Sequence, residues 1–235
     1  MKTRCVWEHN GNDSILYSEE YIGAYTRGNT KEEAIRKMSS EILSYAVWAG
    51  ISLPDPPEPE IVQEKNSVLM VSDADSDVLF EREREALSTE EYAALKTLAL
   101  KSARDFLALY QAVPDRAQSC LPVRTTFYGT VPRTAHEMYE HTKSVNSYYF
   151  GEIGIEEDNT GNIVECRERG FTTLERQPGF LKNTVFCGSY SEEWSLRKVL
   201  RRFIWHDRIH AKAMYRMAIK TFGKGTVPNV FFFDL

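Results

Sequence analysis

Hydrophobic and polar residues alternate along the first part of the chain in the manner of short β-strands. Residues 1–7 and 14–21 have the alternation of half-buried strands, and the turn-forming sequence NGND lies between them at residues 10–13. Residues 61–64 are a candidate for one further strand. This pattern predicts a small sheet at the start of the chain.

An amphipathic helix is predicted after the first two strands. Thr30 and Glu33 have the spacing of a capping box, in which each side chain accepts a hydrogen bond from the other residue's backbone N–H. The apolar residues that follow recur at helical spacing and form one stripe: Ala34, Ile35, Met38, Ile42, Tyr45 and Ala49. Together with the strands, this helix predicts an α+β domain.

The pattern changes after the proline-rich run PDPPEPE at residues 54–60, where long helical stripes replace the alternation. Four amphipathic helices are predicted there. Two begin at capping boxes, formed by Ser88 with Glu91 and by Thr134 with Glu137, and a third helical region lies near residues 171–186. The last helix begins at Ser195 and ends before Gly223. Four such helices in succession are typical of a four-helix bundle. We therefore predict an α+β domain over residues 1–80, including the proline-rich linker region, and an all-α four-helix bundle over residues 81–235.

Four of the five histidines lie on two of these predicted helices. On the last helix, His206 and His210 are one turn apart and fall in the middle of the apolar stripe. His141 lies on the core-facing side of an earlier helix, whereas His136 lies on its opposite side. Helical geometry therefore directs three histidines towards one core: His141, His206 and His210.

Three buried imidazoles need partners for their ring nitrogens, because burying an unpaired polar group costs about 1–3 kcal/mol. A divalent metal ion would remove that cost, since two histidines at i and i+4 offer nitrogens on one side of a helix and a third completes the set. Three protein ligands would leave one coordination position for water or substrate, as in catalytic zinc sites. The alternative is a set of core histidines bonded to tyrosines and backbone carbonyls, and spacing alone leaves both interpretations open.

The sequence around these histidines resembles that of the DinB superfamily, also called DinB/YfiT-like. The resemblance rests on WSLRKVLRRFIWHDRIHAKAM in the last helix and on TAHEMYEH in the earlier one. It implies a four-helix bundle of up-down-down-up course that binds a divalent metal through His141, His206 and His210, and we expect that metal to be zinc or nickel. Some relatives are thiol-dependent transferases or isomerases. The resemblance therefore also implies a metal-dependent enzyme, a transferase or hydrolase that acts on a small-molecule substrate.

The predicted α+β domain resembles the HicB-like fold of antitoxin-type proteins. The residues that carry this resemblance are GNTKEEA at the start of the helix and ISLPDP after it. In that family the domain binds a partner protein or lies beside a DNA-binding module. Residues 1–60 carry 6 basic and 10 acidic side chains, a balance that disfavours phosphate contacts, so we expect a protein partner or a homodimer rather than nucleic acid. The alternative to an enzyme is thus a non-catalytic regulatory or antitoxin-like module with a metal-stabilised bundle.

Two further features of the last helix bear on the metal hypothesis. Asp207 either orients a metal-bound imidazole or forms a salt bridge with a nearby arginine. Eight basic residues between Arg197 and Lys220 are predicted to face away from the histidines. Such a row is typical of a solvated helix face that pairs with acidic neighbours.

Composition narrows the class of protein further. The 235 residues carry a formal net charge of −5, which gives no general affinity for polyanions. No apolar run reaches the roughly 20 residues of a membrane helix, and the first residues lack the apolar stretch of a signal peptide. Four scattered cysteines without a C-x-x-C pair favour neither a disulfide framework nor a thiolate zinc site, and we expect a cytoplasmic protein.

Overall fold

The first part of the chain forms a mixed four-stranded sheet. The structure is a computed structural model that describes residues 1–126 and 129–234. The strands are β1 (Lys2–Asn10), β2 (Asp13–Ser18), β3 (Tyr25–Gly28) and β4 (Glu58–Asn66), in the order β3-β2-β1-β4. β2 is antiparallel to β1 and to β3, whereas β4 runs parallel to β1. A parallel neighbour requires a crossover connection, and helix α1 (Lys31–Ala49) lies in that connection.

Helix α1 begins and ends at the residues that its sequence favours. The Thr30 hydroxyl accepts a hydrogen bond from the Glu33 N–H, and Gly50 ends the helix in the left-handed conformation, with φ of 71°. The buried side of α1 contains Ala34, Met38 and Ile42, and it shares one core with residues of β1 and β2. The strands and helix predicted for this part of the chain are therefore present.

Four more helices follow: α2 (Thr89–Ala112), α3 (Ala135–Gly151), α4 (Ile163–Glu175) and α5 (Leu196–Phe222). Full capping boxes open α2 at Ser88 and α3 at Thr134. The Ser195 hydroxyl caps α5 by accepting a hydrogen bond from the Lys198 N–H, and Gly223 follows the last helical residue. Among the described residues, none of the helices combines the length and the apolar character that a membrane span requires.

The helical region predicted near residues 171–186 was wrong in its position. Helix α4 starts eight residues earlier, at Ile163, and ends at Glu175, before the Pro178-Gly179 pair. Asn162 and Glu165 form a capping box that the sequence analysis did not use.

The prediction of an all-α four-helix bundle for residues 81–235 was also wrong. Helices α2 to α5 contact one another, but this part of the chain is a mixture of helices, short strands and 3-10 turns. It contains two two-stranded sheets, formed by β5 (Thr125–Thr126) with β6 (Gly129–Thr130) and by β7 (Phe186–Cys187) with β8 (Glu193–Trp194). Over residues 1–126 and 129–234, the structure is an α+β fold with a mixed sheet and five α-helices.

The physical reason is that helices alone do not enclose α5. Trp205 of α5 is buried in a second hydrophobic cluster together with Val6, Tyr17 and Tyr25 of the sheet. Phe80, from the segment that connects the two parts of the chain, closes this cluster. The sheet therefore covers a face of α5 that the other helices leave open. The domain boundary at residue 80 stays a prediction.

Burial of α5 also overturns the expected solvated row of basic residues. Five of the eight are buried: Arg197, Lys198, Arg201, Arg202 and Arg208. Four of these form ion pairs with carboxylates of other segments: Arg197 with Glu91 at 3.0 Å, Lys198 with Glu192 at 2.7 Å, Arg201 with Glu83 at 2.5 Å, and Arg208 with Glu41 at 2.6 Å. The acidic neighbours exist, but the five basic side chains are buried between packed elements rather than solvated.

Candidate metal centre

Helices α3 and α5 bring the three predicted histidines together. The ring centroids of His206 and His210 are 4.4 Å apart, and that of His141 is 5.2 Å from His206 and 4.7 Å from His210. One ring nitrogen from each residue lies within 4.8 Å of the other two. The three histidines are therefore close enough to hold a metal ion.

Helix geometry and aromatic packing hold the cluster in place. His206 and His210 are successive-turn neighbours on α5, so their rings leave the helix on the same side. Tyr149 of α3 packs edge-on against His206, with ring centroids 6.1 Å apart, and its ring also contacts Phe203 at 5.4 Å. The packing of α3 on α5 thus sets the position of His141 relative to the pair.

One ring nitrogen of the cluster, on His206, is fully buried without a partner among the described residues. His206 is only 8% exposed, and its Nδ1 atom is buried without a hydrogen bond to any of the described residues. Such an atom is costly in a protein interior unless a ligand satisfies it. His141 and His210 are half-buried, so the cluster is enclosed at His206 and more accessible at the other two rings.

All three imidazoles favour their neutral form. Burial lowers the pKa of His206 well below its ordinary value, and positive charge on His210 or His141 would lower it further. Burial likewise lowers the pKa of His210 to about 3, and it lowers the pKa of His141. Neutral imidazole is the form that offers a nitrogen lone pair to a metal.

Asp207 does not orient a histidine, although it follows His206 in the chain. Its carboxylate is fully buried and accepts two hydrogen bonds from Arg167 of α4, at 2.5 and 3.1 Å. Arg167 also donates to the Asn146 side chain at 3.1 Å and to the Ala99 carbonyl at 3.0 Å. Of the two roles that the sequence left open for Asp207, the structure has the salt bridge, which connects α5 with three other helices.

The remaining histidines lie outside the cluster. His136 is exposed, and its Nδ1 atom lies 3.3 Å from the hydroxyl of Tyr110. His9 stacks on Trp7 with ring centroids 4.0 Å apart, in the sheet. The division into three inward histidines and an outward His136, made from helical geometry, agrees with these positions.

Arg202 lies close to the histidine cluster, although it was predicted to face away from the histidines. It lies one turn before His206, is 9% exposed, and donates to the Ser76 carbonyl at 3.0 Å. Its guanidinium carbon lies 5.5 Å from the centre of the Tyr149 ring. Because Arg202 and His206 are four residues apart on one helix, the sequence indicated that they share a face. The prediction missed this because it treated all the basic residues of α5 as one row.

Comparison with known proteins adds no relative. No protein-family description, curated protein or solved structure matches this chain. The resemblances to the DinB superfamily and to the HicB-like fold therefore stay predictions from short motifs.

Proposed function

We propose that His141, His206 and His210 bind one divalent metal ion. The observation that carries the proposal is the convergence of one nitrogen from each ring within 4.8 Å. The unpaired Nδ1 atom of His206 supports it, because coordination of a metal ion through that atom would remove the cost of burying it. Neutral rings at physiological pH support it as well.

The donor set favours zinc or nickel. Imidazole nitrogen suits borderline transition metals, whereas calcium and magnesium prefer oxygen ligands. Among residues 1–126 and 129–234, no carboxylate or cysteine belongs to the group of three histidines. Three nitrogen ligands would leave a coordination position open, as in catalytic zinc sites.

The function that this geometry supports best is a metal-dependent enzyme, a transferase or hydrolase, with a small-molecule substrate. A bound ion would lower the pKa of a water molecule or small thiol and so supply a nucleophile. The protein would contribute a fixed set of imidazoles, with His206 enclosed. His141 and His210 are half-buried, which leaves one side of the cluster for a substrate to approach.

A second candidate is a non-catalytic regulatory or antitoxin-like module in which the metal stabilises the fold. It is favoured by the contact between the N-terminal sheet and α5, because Trp205 directly precedes His206 and packs against Tyr17 and Tyr25. A metal ion at His206 would then strengthen the helix on which the sheet rests. A protein partner or second copy would bind through residues 1–80.

X-ray absorption spectroscopy of the zinc-loaded protein separates the two candidates. The enzyme hypothesis predicts three imidazole nitrogens and one light-atom ligand that a small thiol replaces by sulfur. A fourth ligand from the protein that does not exchange would favour the stabilising role. A spectrum without imidazole scattering would contradict the metal site itself.

A further inference from the structure

A second concave site lies on another side of α5, away from the histidine rings. It is a cavity of about 700 Å³ bounded by β3, α1 and α5, and its lining includes Tyr25, Arg27, Arg36 and Arg216. Its volume is within the range of small-molecule sites, which is about 300–1,000 Å³. None of the three clustered histidines lines it.

Three arginines reach this cavity from three different elements. Arg27 comes from β3, Arg36 from α1 and Arg216 from α5. Within the described part of the chain, none of the three has a carboxylate within ion-pair distance, and Arg27 instead donates to the Ser72 carbonyl. Their guanidinium groups therefore keep donors free for a ligand.

The other charges that line the cavity are largely satisfied within the protein. Glu33 pairs with Lys37 at 2.5 Å, and Glu41 pairs with Lys212 at 3.4 Å and with Arg208 at 2.6 Å. Two carboxylates remain, of which Asp234 accepts a hydrogen bond from Ser40 and Asp13 lies at the start of β2. Among the lining residues without an ion pair, three arginines thus face two carboxylates, and the cavity carries a net positive charge.

Tyr25 is an uncharged hydrogen-bonding residue in the lining of the cavity. Its side chain is 8% exposed and lines the cavity. Burial raises the pKa of the Tyr25 phenol and the Glu41 charge adds to the rise, while Arg208, Arg27 and Arg216 act in the opposite direction. Tyr25, Arg27 and Arg216 line the same cavity, and the phenol can donate a hydrogen bond.

We propose that this cavity binds a small oxyanion-bearing molecule, a phosphate monoester or a dicarboxylate, through Arg27, Arg36 and Arg216. The planar guanidinium fork matches the oxygens of either group and binds them in a bidentate manner. Tyr25, which also lines the cavity, supplies a further hydrogen-bond donor. The site is separate from the metal centre and does not require a bound metal.

Isothermal titration calorimetry at constant ionic strength tests the proposal, with glycerol 3-phosphate and succinate as the two probes. We expect saturable binding of one of them at a stoichiometry of one. Arg36→Gln and Arg216→Gln should each weaken that binding about tenfold, because each removes a charge-assisted hydrogen bond. Which probe binds distinguishes the phosphate from the carboxylate source.

Two control variants keep the test specific. Arg104→Gln removes an exposed helical arginine outside the cavity and should leave the affinity unchanged. His210→Ala should also leave it unchanged, which excludes binding of the probe at the histidine cluster. Thermal unfolding confirms that each variant folds. Absence of saturable binding for both probes, or equal weakening by Arg104→Gln, would overturn the proposal.

Discussion

Breaking the buried pair between Arg167 and Asp207 should be among the most damaging single changes in the protein. Both side chains are fully buried, and they share two hydrogen bonds at 2.5 and 3.1 Å. Asp207→Leu would leave the Arg167 charge with the Asn146 side chain and the Ala99 carbonyl as its hydrogen-bond partners among the described residues, besides the Phe203 ring. We expect a loss of about 3–5 kcal/mol in the free energy of unfolding, as for other buried pairs that lose one partner.

Urea unfolding of the wild type, the single variants Asp207→Leu and Arg167→Met, and the double variant measures this effect. The double variant leaves no uncompensated charge, so it should be more stable than the sum of the single losses predicts, by about 2 kcal/mol or more. The metal content of folded Asp207→Leu should equal that of the wild type, because Asp207 is outside the ligand cluster. Single losses below about 1 kcal/mol, or strict additivity in the double variant, would refute the reasoning.

Three other changes test how α5 is held. Trp205→Ala should lower the free energy of unfolding in urea by about 3–5 kcal/mol, because it leaves a cavity between α5 and the sheet. A loss as small as that for an exposed residue would contradict this packing. Burial lowers the pKa of Lys198 to about 8, whereas an unfolded lysine keeps its proton up to about 10.4. The unfolded chain then binds more protons, so the stability of the wild type relative to Lys198→Met should rise between pH 8 and pH 10, by at most about 3 kcal/mol; a fall over that range would contradict the assignment. Removal of metal by a chelator should lower the melting temperature of the wild type and leave that of His210→Ala unchanged, and equal shifts in both would argue against the site.

The local features of the chain were predictable because they depend on neighbouring residues. The caps at Thr30, Ser88, Thr134 and Ser195 follow from hydrogen bonds over three residues, and the structure has all four. The grouping of His206 with His210 needs only the helical repeat. The position of His141 on the same side of the protein follows from which face of α3 is apolar.

The errors arose where distant segments decide the environment. Helical geometry shows which residues of α5 share a face, but it does not show that a sheet from the start of the chain covers that face. Arg201 and Arg208 therefore appeared to be solvent-facing, although their partners Glu83 and Glu41 lie more than a hundred residues earlier. The same missing contact led to the four-helix bundle. The partners of these arginines are carboxylates on distant elements, and sequence spacing cannot show which arginine pairs with which carboxylate.

The most direct test of the account is the metal content of three purified proteins, measured by elemental analysis after loading with zinc and desalting. Wild type and His136→Ala should each hold about one ion per chain, because His136 is exposed and bonded to Tyr110. His210→Ala should lose most of the metal, since it removes one of three ligands. Equal metal content in His136→Ala and His210→Ala, whether high or low, would contradict the histidine cluster as the metal site.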